Sequence, residues 1–416
     1  MGDGCTAEAL RATMQSRYGI DASHVRFVRA PYRICPLGAH IDHQLGTVTA
    51  MAIDHGVLLA YAPSGSAEVV LSSAVYPGEV RFRIDAIPPK HAGDWGNYAC
   101  GAAMALSRAH GLRRGLVGIT SGDLAEVGLS SSASVGVTYL LALEAVNGLE
   151  VSPGDNIRLD QAIENEYLGL NNGILDQAAI LLSRRNQLTV IDCRAFARVD
   201  GDTSITASAS GDLPRGMSVL DRPESMPHFS ILIAVSGLTQ AIISTDYNRR
   251  VAECVEAAQV LLDAAGRRGV PARLGMLSHE EYEGHRGALS GAPAKRAEHF
   301  FGEMRRVRLG QEAWRRGDLT AFGALVTESG RSSIVNYECG CDPLIDLYEI
   351  LVTTPGVLGA RFSGAGFRGC CVALVEPEAS AQIVPRVRRA YAARHPELAK
   401  RAQYLICQTD DGARLL

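Results

Sequence analysis

Gly128-Leu129-Ser130-Ser131-Ser132-Ala133-Ser134 runs directly into Val135-Gly136-Val137-Thr138-Tyr139-Leu140-Leu141-Ala142-Leu143-Glu144-Ala145-Val146, and Asn147-Gly148 follows. The segment from Ser130 to Val146 is apolar on nearly every face and meets a glycine stop, which predicts a buried helix with a row of hydroxyls at its start. A helix N-terminus presents free backbone N–H groups and the positive end of the helix dipole, so this junction is suited to an anion. A plain serine cap accounts for one serine and not for a row. Three consecutive hydroxyls can cap the helix and still leave an oxygen for a phosphate or a divalent cation.

Upstream of this junction, β-branched runs at Val25–Arg29, Thr47–Tyr61, Glu68–Ser72 and Glu79–Ile84 predict strands, after a first helix over Cys5–Tyr18. A helix over Trp95–His110 and a strand over Leu116–Thr120 lead into the serine row. Downstream come helices over Asn156–Leu168 and Ile174–Leu182 and a strand over Leu188–Asp192. Gly201–Gly216 is rich in Ser, Thr, Ala, Gly and Asp without a period and reads as an interdomain connection. The pattern then restarts with a strand over Phe229–Val235, a long helix over Thr245–Ala265 and two helices between Pro293 and Leu325. Helix Leu344–Val352, strands Val357–Phe362 and Cys370–Val375, helix Ala379–Ala393 and strand Gln403–Cys407 complete the chain. This mixture means an α+β or α/β class with two domains, placed at 1–205 and 206–416.

Composition excludes several functions. The 416 residues carry 45 acidic and 41 basic side chains, a formal charge of -4, so bulk charge does not drive nucleic-acid binding. Basic runs such as Arg305-Arg306 lie on patterned helices that also carry Glu and read as solvated faces. Lys90, Lys295 and Lys400 are the only lysines and none follows a glycine, which rules out a Walker A loop. The ten cysteines form no Cys-x-x-Cys pair, and no apolar run is long enough to span a membrane, so a cytoplasmic protein without membrane partners is expected.

Other constellations carry chemistry. Gly364-Ala365-Gly366-Phe367-Arg368-Gly369 fits Gly-x-Gly-x-x-Gly, yet a strand rather than a helix follows, so a glycine-rich bend approaching a ligand is the better reading than a dinucleotide fingerprint. Arg33, His40, Asp42 and His43 cluster after a strand; two histidines at i and i+3 without a third ligand are ordinarily hydrogen-bonding residues rather than a metal site. Glu164 shares a helical stripe with Ile157 and Leu168, and Glu166 remains equally legal by periodicity. Asp176 lies just inside the next helix, where an acid usually serves the helix dipole. Serine row, inward Glu and Asp within fifty residues would together supply cation ligands and a base.

Ala30-Pro31-Tyr32-Arg33-Ile34-Cys35-Pro36-Leu37-Gly38-Ala39-His40-Ile41-Asp42-His43 resembles the galactokinase signature. The serine row and Arg361-Phe362-Ser363-Gly364-Ala365-Gly366-Phe367-Arg368-Gly369-Cys370 resemble the second and third motifs of the wider family of galactose, homoserine, mevalonate and phosphomevalonate (GHMP) kinases. Gly38-Ala39-His40 and Gly366-Phe367-Arg368-Gly369-Cys370-Cys371 resemble its galacturonic acid kinase branch most.

The resemblance implies an α+β fold of two domains, the first like ribosomal protein S5 domain 2 and the second ferredoxin-like, with ATP between them. It implies Asp176 as base at the anomeric hydroxyl, and Arg33 beside the transferring phosphoryl group. Gly128, Leu129, Ser130, Ser131, Ser132 and Ala133 would hold the nucleotide, with Ser132 and Glu164 on Mg²⁺. Ala39, His40, Asp42, Tyr247 and Arg368 would surround a sugar acid. Galactokinases carry Glu at the place of Ala39, where it accepts from the sugar O6 hydroxyl; a second carboxylate there would repel a uronate. The expected reaction is therefore ATP-dependent phosphorylation of galacturonate at its anomeric oxygen, with plain galactokinase and a non-catalytic sugar sensor as the alternatives. The chain departs from the family in the lead-in Gly122-Asp123-Leu124-Ala125-Glu126-Val127-Gly128, where Asp123 and Glu126 either point away from phosphate or sit on a loop of different geometry. The oligomeric state is left open.

Overall fold

Strands β1 (Arg26–Ile34) and β2 (Thr47–Pro63) are buried along most of their length instead of alternating, as expected of a sheet covered on both faces. The computed structural model describes residues 6–122, 124, 127–197, 213–238, 244–367 and 369–416. Within it, β1 and β2 pair with β3 (Glu68–Ser73), β4 (Glu79–Arg83), β5 (Leu116–Gly122), β6 (Gln187–Asp192) and β7 (Met217–Asp221) in one sheet. The last strands of the chain, β12 (Thr409–Asp410) and β13 (Arg414–Leu415), return to it. Its main order is β13-β1-β2-β5-β3-β4, with β6 and β12 on β2 and β7 on β6. The long β2 pairs with β6 over Thr47–Ala50 and with β5 over Val57–Pro63, so its two halves serve different parts of the sheet.

Helix α1 (Ala7–Tyr18) packs Leu10 and Met14 onto Phe27, Ala60 and Ile119. Helices α2 (Asn97–Ala109), α3 (Ser131–Asn147) and α4 (Pro153–Ala162) flank a separate core, in which Leu106, Leu140 and Leu143 join Leu59, Tyr61 and Leu71. Each such buried aliphatic side chain stabilises the fold by roughly 1.5–3 kcal/mol. Helices α5 (Leu175–Leu182) and α6 (Cys193–Ala197) flank β6 in sequence.

The second sheet is antiparallel, in the order β11-β8-β10-β9, from β8 (Ser230–Val235), β9 (Val357–Phe362), β10 (Cys370–Val375) and β11 (Gln403–Cys407). With it go α7 (Ser244–Ala264), α8 (His279–His285), α9 (Gly291–Arg315), α10 (Leu319–Val335), α11 (Asp342–Thr353), α12 (Ser380–Arg394) and α13 (Pro396–Ala399). Its core joins Leu232, Leu261, Phe300, Leu347 and Val375 to Ile41, Ala178 and Ile191 of the first half, so the two halves share one apolar interior. The 205/206 division lies outside the described residues, and strands from both sides of it belong to the nine-stranded sheet. Among the described residues, no helix is long and apolar enough to cross a membrane.

Two local features bring the motif loops together. The ladder between β1 and β2 shifts between Pro31, opposite Gly56, and Tyr32, opposite Ile53, leaving Asp54 and His55 as a bulge. Gly56 is required there, because a Cβ would stand 2.3 Å from the Ala30 carbonyl oxygen. The second feature is the bend from Gly364 to Gly369, which joins β9 to β10 as an antiparallel hairpin and opens no helix; the bend reading is the one the structure has. A Cβ on Gly369 would meet the Val127 carbonyl at 2.3 Å and one on Gly364 the Gly128 carbonyl at 2.8 Å. The two halves therefore touch backbone to backbone at the loop leading into α3.

Candidate active site

Helix α3 begins at Ser131, and Ser130 before it takes the left-handed conformation with φ 60°. The Ser130 side chain does not cap this end, because its hydroxyl is used elsewhere. It donates to Asp176 Oδ2 at 2.5 Å, while Arg33 Nε donates to Asp176 Oδ1 at 2.7 Å. Asp176, in the first turn of α5, thus joins a strand and two helices, which is more than a helix-dipole partner does. Ser134 is turned into the interior, donating to Pro31 and Ser130 carbonyls. The Ser363 hydroxyl donates to the Gly128 carbonyl at 2.8 Å and ties the hairpin bend to the same loop.

Arg33 is 3% exposed. Burial alone would lower its pKa, yet the adjacent Asp176 carboxylate raises it, and its Nη1 has no hydrogen-bond partner among the described residues. Glu164 is buried while Glu166 is exposed and pairs with Arg108, so the ambiguity of the helical stripe resolves to Glu164. A π-type turn over Ile163–Tyr167 extends α4 beyond this point, with the Leu168 N–H on the Ile163 carbonyl. Glu164 Oε2 accepts from Asn172 at 2.8 Å and Gln177 at 3.1 Å, whereas its buried Oε1 has no partner among the described residues. Burial, then the charge of Asp176, push its carboxyl up to about 7, with Asn172 and the Ser132 hydroxyl opposing.

The loop after β1 carries the other residues. Asp42 Oδ2 accepts from the Leu175 N–H at 3.4 Å, and its carboxyl is pushed up to about 6 by burial and by Asp176. Gly173 is fixed by this contact, since a Cβ would lie 2.2 Å from Asp42 Oδ2. His40, with φ 64°, stacks on Tyr337 at 4.3 Å between ring centres, and burial holds its pKa well below the ordinary value. His43 contacts the Tyr337 hydroxyl at 3.3 Å and meets the Tyr247 ring edge-on at 6.1 Å; burial lowers it to about 3. These neutral rings form part of a packed aromatic cluster.

A cavity of about 690 Å³, a size ordinary for a small-molecule site, gathers most of these groups, though Glu164 and His43 are not among its lining residues. Arg33, Ala39, His40, Asp42, Asp176 and Tyr247 line it, as do Gly128 and Ser130 to Ser132. The side chains of Leu129 and Ala133 instead enter apolar clusters, so only their backbone faces remain for a ligand. Arg368 lies outside the described residues, as do Asp123 and Glu126 of the lead-in loop. Tyr76, Trp95 and Tyr98 add an aromatic wall that sequence reasoning missed.

Also missed was the support supplied by α9. Glu303, fully buried, accepts from the Gly38 N–H at 2.7 Å and from Ser329, and pairs with Arg306 at 2.7 Å. Despite burial, Arg306 and nearby cations hold its carboxyl below the ordinary value. His299 Nε2 meets the Ala39 carbonyl at 2.9 Å. The expectation that Arg305-Arg306 is simply a solvated face is corrected for Arg306, whose side chain is 15% exposed and paired inward. The signal was available: Arg296, His299, Phe300, Glu303, Val307, Gly310 and Trp314 recur at three- and four-residue spacing and are buried.

Comparison with known proteins agrees with this architecture. Residues 97–184 match the GHMP kinases N terminal domain, 311–393 the GHMP kinases C terminal domain, and 14–63 the galactokinase galactose-binding signature. A galacturonokinase of Arabidopsis thaliana is 47% identical over 432 residues, covering 98% of this chain and 97% of that one. A galactokinase of Bos taurus is 30% identical, covering 94% and 92%. The crystal structure of Lactococcus lactis galactokinase complexed with galactose superimposes with a TM-score of 0.86 at 28% identity, covering 98% and 99%. By these matches and the two-domain fold that carries them, the chain belongs to the GHMP kinase family, in its galactokinase-like branch of sugar kinases.

Proposed function

We propose that this sugar kinase transfers the γ-phosphoryl group of ATP to the anomeric oxygen of D-galacturonate. The observation that carries the choice of sugar is Ala39. It lines the cavity at the place where galactokinases carry a glutamate, and it does so in a chain 47% identical to a galacturonokinase. Two carboxylates about 4 Å apart repel by roughly 4 kcal/mol at the effective dielectric of a protein site. An alanine removes that term and leaves room for the sugar's own carboxylate. Arg368, as a bidentate partner for that carboxylate, is part of the proposal.

In the mechanism, Asp176 is the base. Two of the roughly four lone-pair sites of its carboxylate are taken by Arg33 and Ser130. The others can accept the anomeric hydroxyl proton as the oxygen attacks phosphorus. Arg33, held by that ion pair and by its N–H on the Leu129 carbonyl, directs an unpaired guanidinium nitrogen to the charge that spreads over the transferring phosphoryl oxygens. The start of α3, which the Ser130 side chain does not cap, would offer backbone N–H groups to the phosphates in place of a P-loop lysine. His40, Asp42 and Tyr247 fix the sugar hydroxyls.

The buried, unpartnered Glu164 Oε1 and the Ser132 hydroxyl beside it offer the hard oxygen donors that Mg²⁺ takes, and the phosphates and water supply the rest. When bound, the ion would neutralise charge on the phosphates; metal binding would also keep Glu164 ionised near neutral pH. Phosphorus NMR of a reaction with galacturonate and Mg-ATP tests the assignment. An anomeric phosphate monoester formed one for one with ADP supports it, and ADP formed without that ester refutes it.

A further inference from the structure

Outside the cavity, the β2 bulge sets Asp54 and His55 beside Cys407, the last residue of β11. One ligand atom of each, carboxylate oxygen, imidazole nitrogen and sulfur, lies within 4.8 Å of the other two. The backbone holds this approach: the Asp54 N–H donates to the Gln408 carbonyl and the Gln408 N–H to Asp54 Oδ1, both at 3.0 Å. Gln408 also reaches Ser230 on β8 at 3.0 Å, so three strands from both sheets meet here. Cys407 is fully buried, and Asp54 and His55 are half-buried. We propose that Asp54, His55 and Cys407 form a site for a borderline-soft divalent ion of the Zn²⁺ class, distinct from Mg²⁺ at the phosphates.

The donor set chooses the ion. A thiolate with an imidazole and one carboxylate suits Zn²⁺ or Co²⁺ and is foreign to Mg²⁺, which takes oxygen ligands. Bond lengths near 2.0–2.3 Å put tetrahedral ligands roughly 3.3–3.8 Å apart, so the three atoms need draw together by only about 1 Å. Binding releases the Cys407 thiol proton to the buffer, because a coordinated thiol is deprotonated. A fourth position stays with water. The ion would clamp the bulge, and with it the β1–β2 register on which Arg33 depends, to the C-terminal sheet.

The test is titration of the metal-free, reduced full-length protein with Co²⁺ followed by displacement with Zn²⁺. Expected are one equivalent per chain, a near-ultraviolet thiolate-to-cobalt band with visible tetrahedral bands, and their loss on adding Zn²⁺. His55→Ala, at a half-buried position, and Cys407→Ser should each weaken binding by more than the roughly tenfold that even outer-shell partners are worth. Should Cys407→Ser fail to fold, His55→Ala with Asp54→Asn carries the test. Absence of the thiolate band in wild type, or its retention at full strength in those variants, overturns the site.

Discussion

Replacing Asp176 by Asn separates its two duties. An asparagine keeps the size but offers one acceptor oxygen and one amide nitrogen, while two donors, Arg33 Nε at 2.7 Å and Ser130 Oγ at 2.5 Å, face its two positions. The serine hydroxyl can turn; the guanidinium cannot. Losing a charge-assisted hydrogen bond costs about 1.5–3 kcal/mol, and orphaning one member of a buried pair about 3–5 kcal/mol. Asp176 is 24% exposed to the cavity, which tempers the second figure, so a stability loss of roughly 2–4 kcal/mol is expected. Turnover should fall by about two to four orders of magnitude, the scale for a general base. A double variant, Asp176→Asn with Arg33→Met, removes both charges and should recover much of the stability without recovering turnover. The assays are coupled ADP release with galacturonate and Mg-ATP, and urea denaturation. Turnover of Asp176→Asn within threefold of wild type would refute the base assignment, as would rescue of turnover in the double variant.

Ala39→Glu should lower galacturonate kcat/KM by at least about a hundredfold while galactose holds or improves, read from parallel substrate titrations. Glu164→Gln should raise the Mg²⁺ concentration needed for half-maximal rate while leaving sugar KM nearly unchanged. Glu303→Ala strips the buried acceptor from Gly38, Ser329 and Arg306, and urea unfolding should show a loss of about 3–5 kcal/mol. Glu144 gives a pH test: burial pushes its carboxyl up to about 7. The folded state therefore holds a proton that the unfolded chain releases near pH 4.5, and stability is lost as pH rises through about 7. Glu144→Gln, which mimics the protonated acid, should be more stable than wild type at pH 8 by up to roughly 3 kcal/mol, a gain absent at pH 4.

Legibility from sequence followed the strength of local patterns. The helix predicted over Ser130–Val146 is found at Ser131–Asn147, because an unbroken apolar run bounded by serines and glycine leaves little choice. Strands at Val357–Phe362 and Cys370–Val375 match as predicted, each being a short β-branched or apolar run between turn residues. By contrast, β12 and β13 have two residues each, too few to show a period, and exist only because the tail pairs with β2 and β1 of the first sheet. Helix α8 rests on a Ser278–Glu281 capping box that was there to be read. In the site, residues on motif loops were legible, since glycines and clustered polar groups announce them. Glu303 and His299 were not singled out, because a polar residue on a helix declares itself inward only when the whole stripe is followed. Glu164 lies on the stripe of Ile157 and Leu168, and the choice over Glu166 is decided by burial: Glu164 is enclosed while Glu166 is exposed on Arg108.

The functional assignment turns on a sugar carboxylate at the Ala39 end of the cavity. Side-by-side kcat/KM values for galacturonate, galactose and glucuronate, at saturating Mg-ATP, decide whether one is bound there. Galacturonate should lead galactose by at least about a hundredfold, in keeping with roughly 3 kcal/mol or more of differential recognition. A ratio near one, or galactose ahead, would mean that the enzyme is not a uronate kinase.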